Sequence, residues 1–190
     1  MDDSKMKNYK PIVKPGIDVL LEKRLDLIEG KRVGLITNQT GVTRYLKSTI
    51  DALNELPDVN LVALFGPEHG VRGDIPGGET VPKYEDKKTG IMVYSLYGQT
   101  RRPTPRMLKN IDVLIYDIQD IGIRPYTYIY TMAYAMEAAK AAGIKFIVLD
   151  RPNPLGGVKI SGNVLNPNFS SFIGLYPIPY IYGMTVGEIA

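Results

Sequence analysis

The chain has 190 residues, 44% of them apolar, with a formal charge of +3 and no cysteine. This is enough for one sizeable core; it excludes disulfides and thiolate metal sites, and no run of about 18 apolar residues is present to cross a membrane as a helix. Acids and bases are interspersed, as in EKRLDLIEGKR, without the basic stripe that nucleic-acid binding favours, so charge names no partner.

Residues 1–15 read as a flexible N-terminal arm. Its text, MDDSKMKNYKPIVKP, lacks the apolar core of a secretory leader, yet an exported or periplasmic location and a cytoplasmic one both stay open. From Gly16, the spacing of Ile17, Leu20, Leu21, Leu25 and Ile28 predicts a helix that Gly30 ends. VGLIT (33–37) is a buried strand, and TRYLKSTIDALNELP (43–57) a second amphipathic segment. NLVALF (60–65), GIMVY (90–94), DVLIY (112–116) and KFIVL (145–149) follow as strands, with a long helix over Thr127–Ala142 before the last. The strands are apolar throughout rather than alternating, as a sheet covered on both faces requires. Residues 16–155 are therefore expected to form an α/β domain with a doubly wound, mostly parallel sheet and helices on both faces. Residues 156–190, rich in Gly, Pro, Asn and aromatics, read as an ordered irregular excursion. It ends in a helix that Thr185 caps, with Glu188 completing a capping box. The sequence stops within that helix, so a C-terminal domain is expected beyond it.

Doubly wound sheets bind ligands beyond the carboxyl ends of their strands. The loops 37–41, 66–73, 95–100, 117–124 and 150–153 all fall at that edge, and they hold most of the unusual polar residues. In FGPEHGVRGDIPGGE, Glu68 at the mouth of a buried strand can serve as a general acid, or can cap a helix or accept loop amides. His69, the single histidine, can orient a carboxylate or a sugar hydroxyl, or be a satisfied loop residue; alone it makes no multi-histidine metal site, and no metal is expected. The glycines here, among them Gly77 and Gly78, do not have the spacing of a phosphate loop. In YDIQDIGIRPYTY, Asp117 and Asp120 can share a turn over a substrate or cap the following helix. Arg124 can hold a ligand carboxylate in two hydrogen bonds, or pair with one of those acids. Tyr126 offers a sugar platform or plain packing. Asn38 and Gln39 both donate and accept, which suits a sugar and equally a turn, and DRPNPLGG sets Arg151 and Asn153 in a rigid loop.

Taken in order, GLITNQTGV, LFGPEHGVRG, SLYGQTRRPT, IDVLIYDIQDIG, YTYIYTMAYAMEAA, VLDRPNPLGG and GMTVGE resemble the bacterial DUF1343 family of NamZ-type exo-β-N-acetylmuramidases. The resemblance runs from about Gly16 to the end. It implies a Rossmann-like N-terminal domain, truncated here before a smaller C-terminal domain that helps form the cleft. It implies release of terminal N-acetylmuramic acid from small peptidoglycan fragments with no cofactor, Glu68 of GPEHG being the catalytic acid and His69 its neighbour in the motif. Asp120 or Glu79 is then a candidate second carboxyl group, unless the substrate's own acetamide assists. A pocket selective for muramic acid needs a cation for the lactyl carboxylate, and Arg72, Arg124 and Arg151 are the candidates, Arg124 foremost. The chain departs from the family pattern at GIRPYTYIYT and at PIPYIYG, where Ile181 and Tyr182 replace an arginine and a histidine. That departure favours an alternative, a muropeptide-binding module with weak or lost catalysis.

Overall fold

The computed structural model describes residues 13–73, 75–76 and 83–190. The first twelve residues of the arm, and Gly77, Gly78 and Glu79, lie outside them. A six-stranded sheet is built from β1 (Arg32–Thr37), β2 (Asn60–Gly66), β3 (Lys83–Glu85), β4 (Met92–Ser95), β5 (Val113–Asp117) and β6 (Lys145–Val148), in the order β3-β4-β2-β1-β5-β6. All pairings are parallel except that of β3 with β4. The helices are α1 (Gly16–Lys23), α2 (Thr49–Asn54), α3 (Pro105–Leu108), α4 (Tyr128–Ala142) and α5 (Val186–Ile189). This is the mostly parallel α/β sheet that the apolar strands predict.

Successive side chains of a strand point to opposite faces, and the two cores follow from that alternation. Leu35 joins Ile17, Leu20, Ile50 and Leu53 under α1 and α2. Its neighbour Ile36 joins Phe65, Tyr116, Ile129 and Met132 under α4 on the other face. Leu35, Ile36, Leu64 and Phe65 are fully buried, each worth about 1.5–3 kcal/mol relative to exposure. From β1 the winding proceeds through β2 to β4 on one side and through β5 to β6 on the other. The reversal leaves a crevice between the loops that follow β1 and β5, where Asn38 and Asp120 stand.

Three local readings differ from the structure. The amphipathic segment 43–57 is helical only over Thr49–Asn54, because Thr43 Oγ1 accepts from the amides of Tyr45 (3.3 Å) and Lys47 (3.2 Å) and closes a turn instead. The first helix stops at Lys23, where Arg24 leaves helical backbone (φ −136°), and one 3-10 turn follows over Leu25–Leu27. Two elements are additional: the antiparallel β3 and the short α3, whose N-terminus Thr104 caps with Pro105 in the first turn. The segment 156–184 runs without named strands and touches the sheet domain through isolated bridges such as Ile123 with Ile181. Among the described residues no helix is long and apolar enough to cross a membrane.

Candidate active site

β2 delivers Phe65 and Gly66 into the sheet, and the chain then turns sharply. His69 (φ 72°) and Gly70 (φ 73°) are both left-handed, and the Gly70 amide donates to Pro67 O at 3.1 Å. Left-handed backbone is free for glycine but costs a histidine on the order of 1 kcal/mol. The turn is held from outside: the Ile75 amide donates to His69 O at 3.4 Å, and His69 Nδ1 lies 3.3 Å from Ile75 O. A carbonyl can only accept, so Nδ1 is the donor in this contact. Glu68, half-buried, lines a narrow notch with Gly66, His69, Ser95 and Tyr97. The Glu68 carboxylate lies beside the Tyr97 hydroxyl in this notch and holds the phenol above its usual range.

Across the switch crevice stands Asp120, 3% exposed. Its Oδ2 accepts from the Gly122 amide at 2.7 Å and from the Tyr182 hydroxyl, whereas Oδ1 is buried with no partner among the described residues. Burial pushes the carboxyl up, opposed by the Tyr182 hydroxyl and the Gly122 and Ile121 amides. Tyr182, itself fully enclosed, is pushed far above the ordinary phenol range by burial and by Asp120. Burial pushes the Tyr128 hydroxyl up, Asn38 opposes this, and the charges of Glu68 and Asp120 add to the rise. Asn38 faces the same hydroxyl. Its Oδ1 is fixed by the Thr40 amide (2.9 Å) and hydroxyl (2.5 Å), while Nδ2 is buried without a well-formed bond. A buried polar atom left unpaired costs about 1–3 kcal/mol. Two such atoms, one acceptor and one donor, at the crevice of a doubly wound sheet are what a polar ligand would satisfy.

The remaining sequence candidates fall elsewhere. Asp117 is buried beneath the crevice, where Arg151 grips it through Nε (2.7 Å) and Nη2 (3.1 Å) and Thr49 donates a third bond. Burial pushes this carboxyl up while Arg151 pulls it down. Gly41 fits over this pair because a Cβ there would lie 2.8 Å from Asp117 O. Arg151 also donates to Val42 O at 2.7 Å, which leaves it closed inside the fold. Arg72 is likewise engaged: it binds Asp86 through Nε (2.8 Å) and Nη2 (2.9 Å), and Asp51 through Nη2 (3.0 Å). Arg124, buried, donates from Nη1 to Asn163 O (2.7 Å) and Ile178 O (2.8 Å), so its first duty is to the tail. None of the three offers a wholly free guanidinium. Asn153 is spent on Met184 O (2.9 Å) and the Leu155 amide (2.8 Å). Gln39 is exposed beside Gly73, and Tyr126 is exposed with its ring 5.6 Å from that of Tyr128 in an edge arrangement. Among the described residues no cluster of three or more His, Cys, Asp or Glu could hold a metal. An apolar groove between α1 and β6, lined by Val19, Leu20 and Ile147, extends to Arg151 but includes neither Glu68 nor Asp120.

Sequence reading did not single out Tyr97, and it named Tyr128 and Tyr182 without assigning either a role. The signal for Tyr97 was its place in SLYGQTRRPT, directly after β4 at the same sheet edge. Tyr182 was marked only as a departure from the family pattern, and it is the residue that bonds Asp120.

Comparison with known proteins agrees with this architecture. Residues 33–190 match the family model described as exo-beta-N-acetylmuramidase NamZ, N-terminal. The chain is 62% identical over 181 residues to the peptidoglycan beta-N-acetylmuramidase NamZ of Bacillus subtilis (strain 168), covering 95% of this chain and 44% of that protein. Two crystal structures of DUF1343 family proteins from Bacteroides fragilis NCTC 9343 superpose with TM-scores of 0.86 and 0.79, at 61% and 36% identity. Each alignment covers 93% of this chain, but 44% and 45% of the longer ones. The chain thus spans less than half the length of the relatives it matches, and it belongs to the NamZ N-terminal family.

Proposed function

We propose that the complete protein is an exo-acting glycoside hydrolase that removes terminal N-acetylmuramic acid from small peptidoglycan fragments, and that this chain supplies its acid. Glu68 protonates the glycosidic oxygen as the bond to the anomeric carbon breaks, and water adds to that carbon, giving the free sugar and a shortened acceptor. Positive charge develops on the sugar ring, and Asp120 or the substrate's own acetamide stabilises it. The observation that carries this reading is the crevice itself. A carboxylate on a strained, externally braced turn and a second carboxylate that is buried and incompletely bonded stand at the same edge of the sheet, and the charge of both reaches the Tyr128 hydroxyl. Asn38 Nδ2 and Asp120 Oδ1 are a donor and an acceptor suited to the hydroxyl and acetamido groups of one sugar. The name of the B. subtilis relative, at 62% identity, supports the same substrate.

The test is release of N-acetylmuramic acid from its unactivated β-disaccharide with N-acetylglucosamine, whose sugar leaving group must be protonated, by the full-length protein, beside Glu68→Gln. Loss of a general acid is expected to lower kcat on the order of 100-fold or more. Wild-type turnover that survives in Glu68→Gln would remove Glu68 from the mechanism. A folded wild-type protein that binds N-acetylmuramic acid but does not turn over would favour the binding-module alternative, for which the tyrosine at position 182 is the specific motive.

A further inference from the structure

An acidic sugar requires a free cation, and among the described residues Arg72, Arg124 and Arg151 are each engaged within the fold. The loop after β4 that brings Tyr97 onto Glu68 carries Arg101 four residues later. Arg101 is exposed, and among the described residues it makes no hydrogen bond and no ion pair. It is nonetheless ordered by stacking: its guanidinium carbon sits 4.0 Å from the centroid of Phe172. Phe172 is in turn stacked on Tyr134 of α4, with centroids 6.3 Å apart and planes 5° from parallel. The next residue, Arg102, is used differently, since Glu137 neutralises it. A guanidinium that stacks through its face keeps its N–H edge free, and that edge is the geometry which grips a carboxylate in two bonds.

Resting on the hydrolase reading above, we propose that Arg101, seated on Phe172, is the specificity residue that binds the lactyl carboxylate of the terminal sugar while Glu68 addresses the glycosidic oxygen. The stack of Tyr134, Phe172 and Arg101 joins the tail to α4, and the Arg101 charge reaches the hydroxyl of Tyr97, which lines the acid-bearing notch. Arg101 touches neither scissile bond nor acid, so its effect falls on recognition.

The test compares full-length wild type, Arg101→Ala and Arg101→Lys on 4-nitrophenyl N-acetyl-β-muramide and on its lactyl methyl ester, which has the same shape without the charge. Arg101→Ala is expected to lose on the order of 10- to 100-fold in kcat/KM on the acid, mainly through KM, as fits a lost charge-assisted pair. On the ester it should match wild type, and Arg101→Lys should recover part of the loss. An alanine variant that cleaves the acid as wild type does, or loses equally on acid and ester, overturns the assignment. Calorimetric binding of N-acetylmuramic acid and its methyl ester separates this from the hydrolase reading. If wild type turns over neither glycoside but binds the acid more tightly than the ester, and Arg101→Ala abolishes that difference, the hydrolase reading fails and Arg101 stands. If wild type binds the two alike, Arg101 falls whatever the turnover.

Discussion

If Asp120 rather than the acetamide stabilises the cation of the proposed reaction, it meets two opposed demands, since a carboxylate useful to a developing cation must be charged and its burial disfavours charge. The folded-state pKa is raised above the unfolded value of 3.8, by burial first. For an acid shifted in this direction the native state binds more protons, so stability falls as pH rises from the unfolded value through the folded one. Asp120→Asn removes that loss without removing a bond. The amide oxygen can still accept from Gly122 and Tyr182, and the amide nitrogen takes the place of Oδ1, which has no partner to lose. The variant is therefore expected to melt at or above the wild-type temperature at pH 7, with the advantage shrinking towards pH 4, while turnover falls on the order of 100-fold. Melting curves across pH 4–8 beside kinetics check it. A variant that melts lower than wild type at pH 7 and equals it at pH 4 would show that the charge stabilises the fold, and would make Asp120 a structural residue.

At the scale of elements, each strand end is fixed by a partner distant in sequence, and the loop that carries Glu68 shows how. Arg72 ties that loop to Asp51 of α2 and to Asp86, just past β3. The Arg72 guanidinium holds the Asp86 carboxyl at about 2, against 3.8 when unfolded, with the Thr89 hydroxyl and amide assisting. This shift is downward, so the stabilisation is present above pH 3.8 and is lost as pH falls towards 2; with Asp86 buried, it is about 2 kcal/mol. Asp86→Asn should lose about that much in urea unfolding at pH 7 and little near pH 2, and a gap that stays constant with pH would mean the pair is not what braces the loop. Such ties explain what could be read from sequence. The parallel sheet was legible because buried strands announce themselves as apolar runs, and the place of Glu68, Asp120 and Asn38 at its carboxyl edge because they follow such runs directly. The occupations of Arg72 and Arg151 were not legible, since their partners lie at Asp86 and Asp117 and nothing in local spacing reports a contact across the sheet. Nor was the short β3, three residues whose pairing is fixed by β4 rather than by their own pattern. The turn at Thr43 had a signal, a hydroxyl able to bond nearby amides, but apolar periodicity outweighed it in the reading.

For the molecule as a whole, the decisive feature is that residues 156–190 are fastened to the sheet domain by a few polar anchors and by apolar packing on the core, and that one of their residues, Tyr182, bonds Asp120. Arg124 holds Asn163 O and Ile178 O through Nη1, while its own amide donates to Tyr180 O at 2.8 Å. Asn153 holds Met184 O, and Asp150 accepts from the Thr185 hydroxyl (2.7 Å) and the Gly187 amide (2.8 Å). Between these anchors the segment is open to solvent, with Val158 96% and Phe169 75% exposed. Tyr182 reaches Asp120 only while the segment is fastened. Arg124→Met keeps much of the apolar stem but leaves two carbonyls without their donor, a loss of about 2 kcal/mol. The cost should appear as local opening, not global unfolding, because the sheet core is untouched. Cleavage after Phe169 or Tyr180 by chymotrypsin, in the regime where rate follows the population of the open form, is expected to accelerate roughly 30-fold. The thermal midpoint should move little, and turnover should fall together with the loss of the Tyr182 bond to Asp120. Cleavage at the wild-type rate would instead mean that Phe172, Leu175 and Ile178 hold the segment by packing alone, and Arg124 would return as a candidate for the substrate.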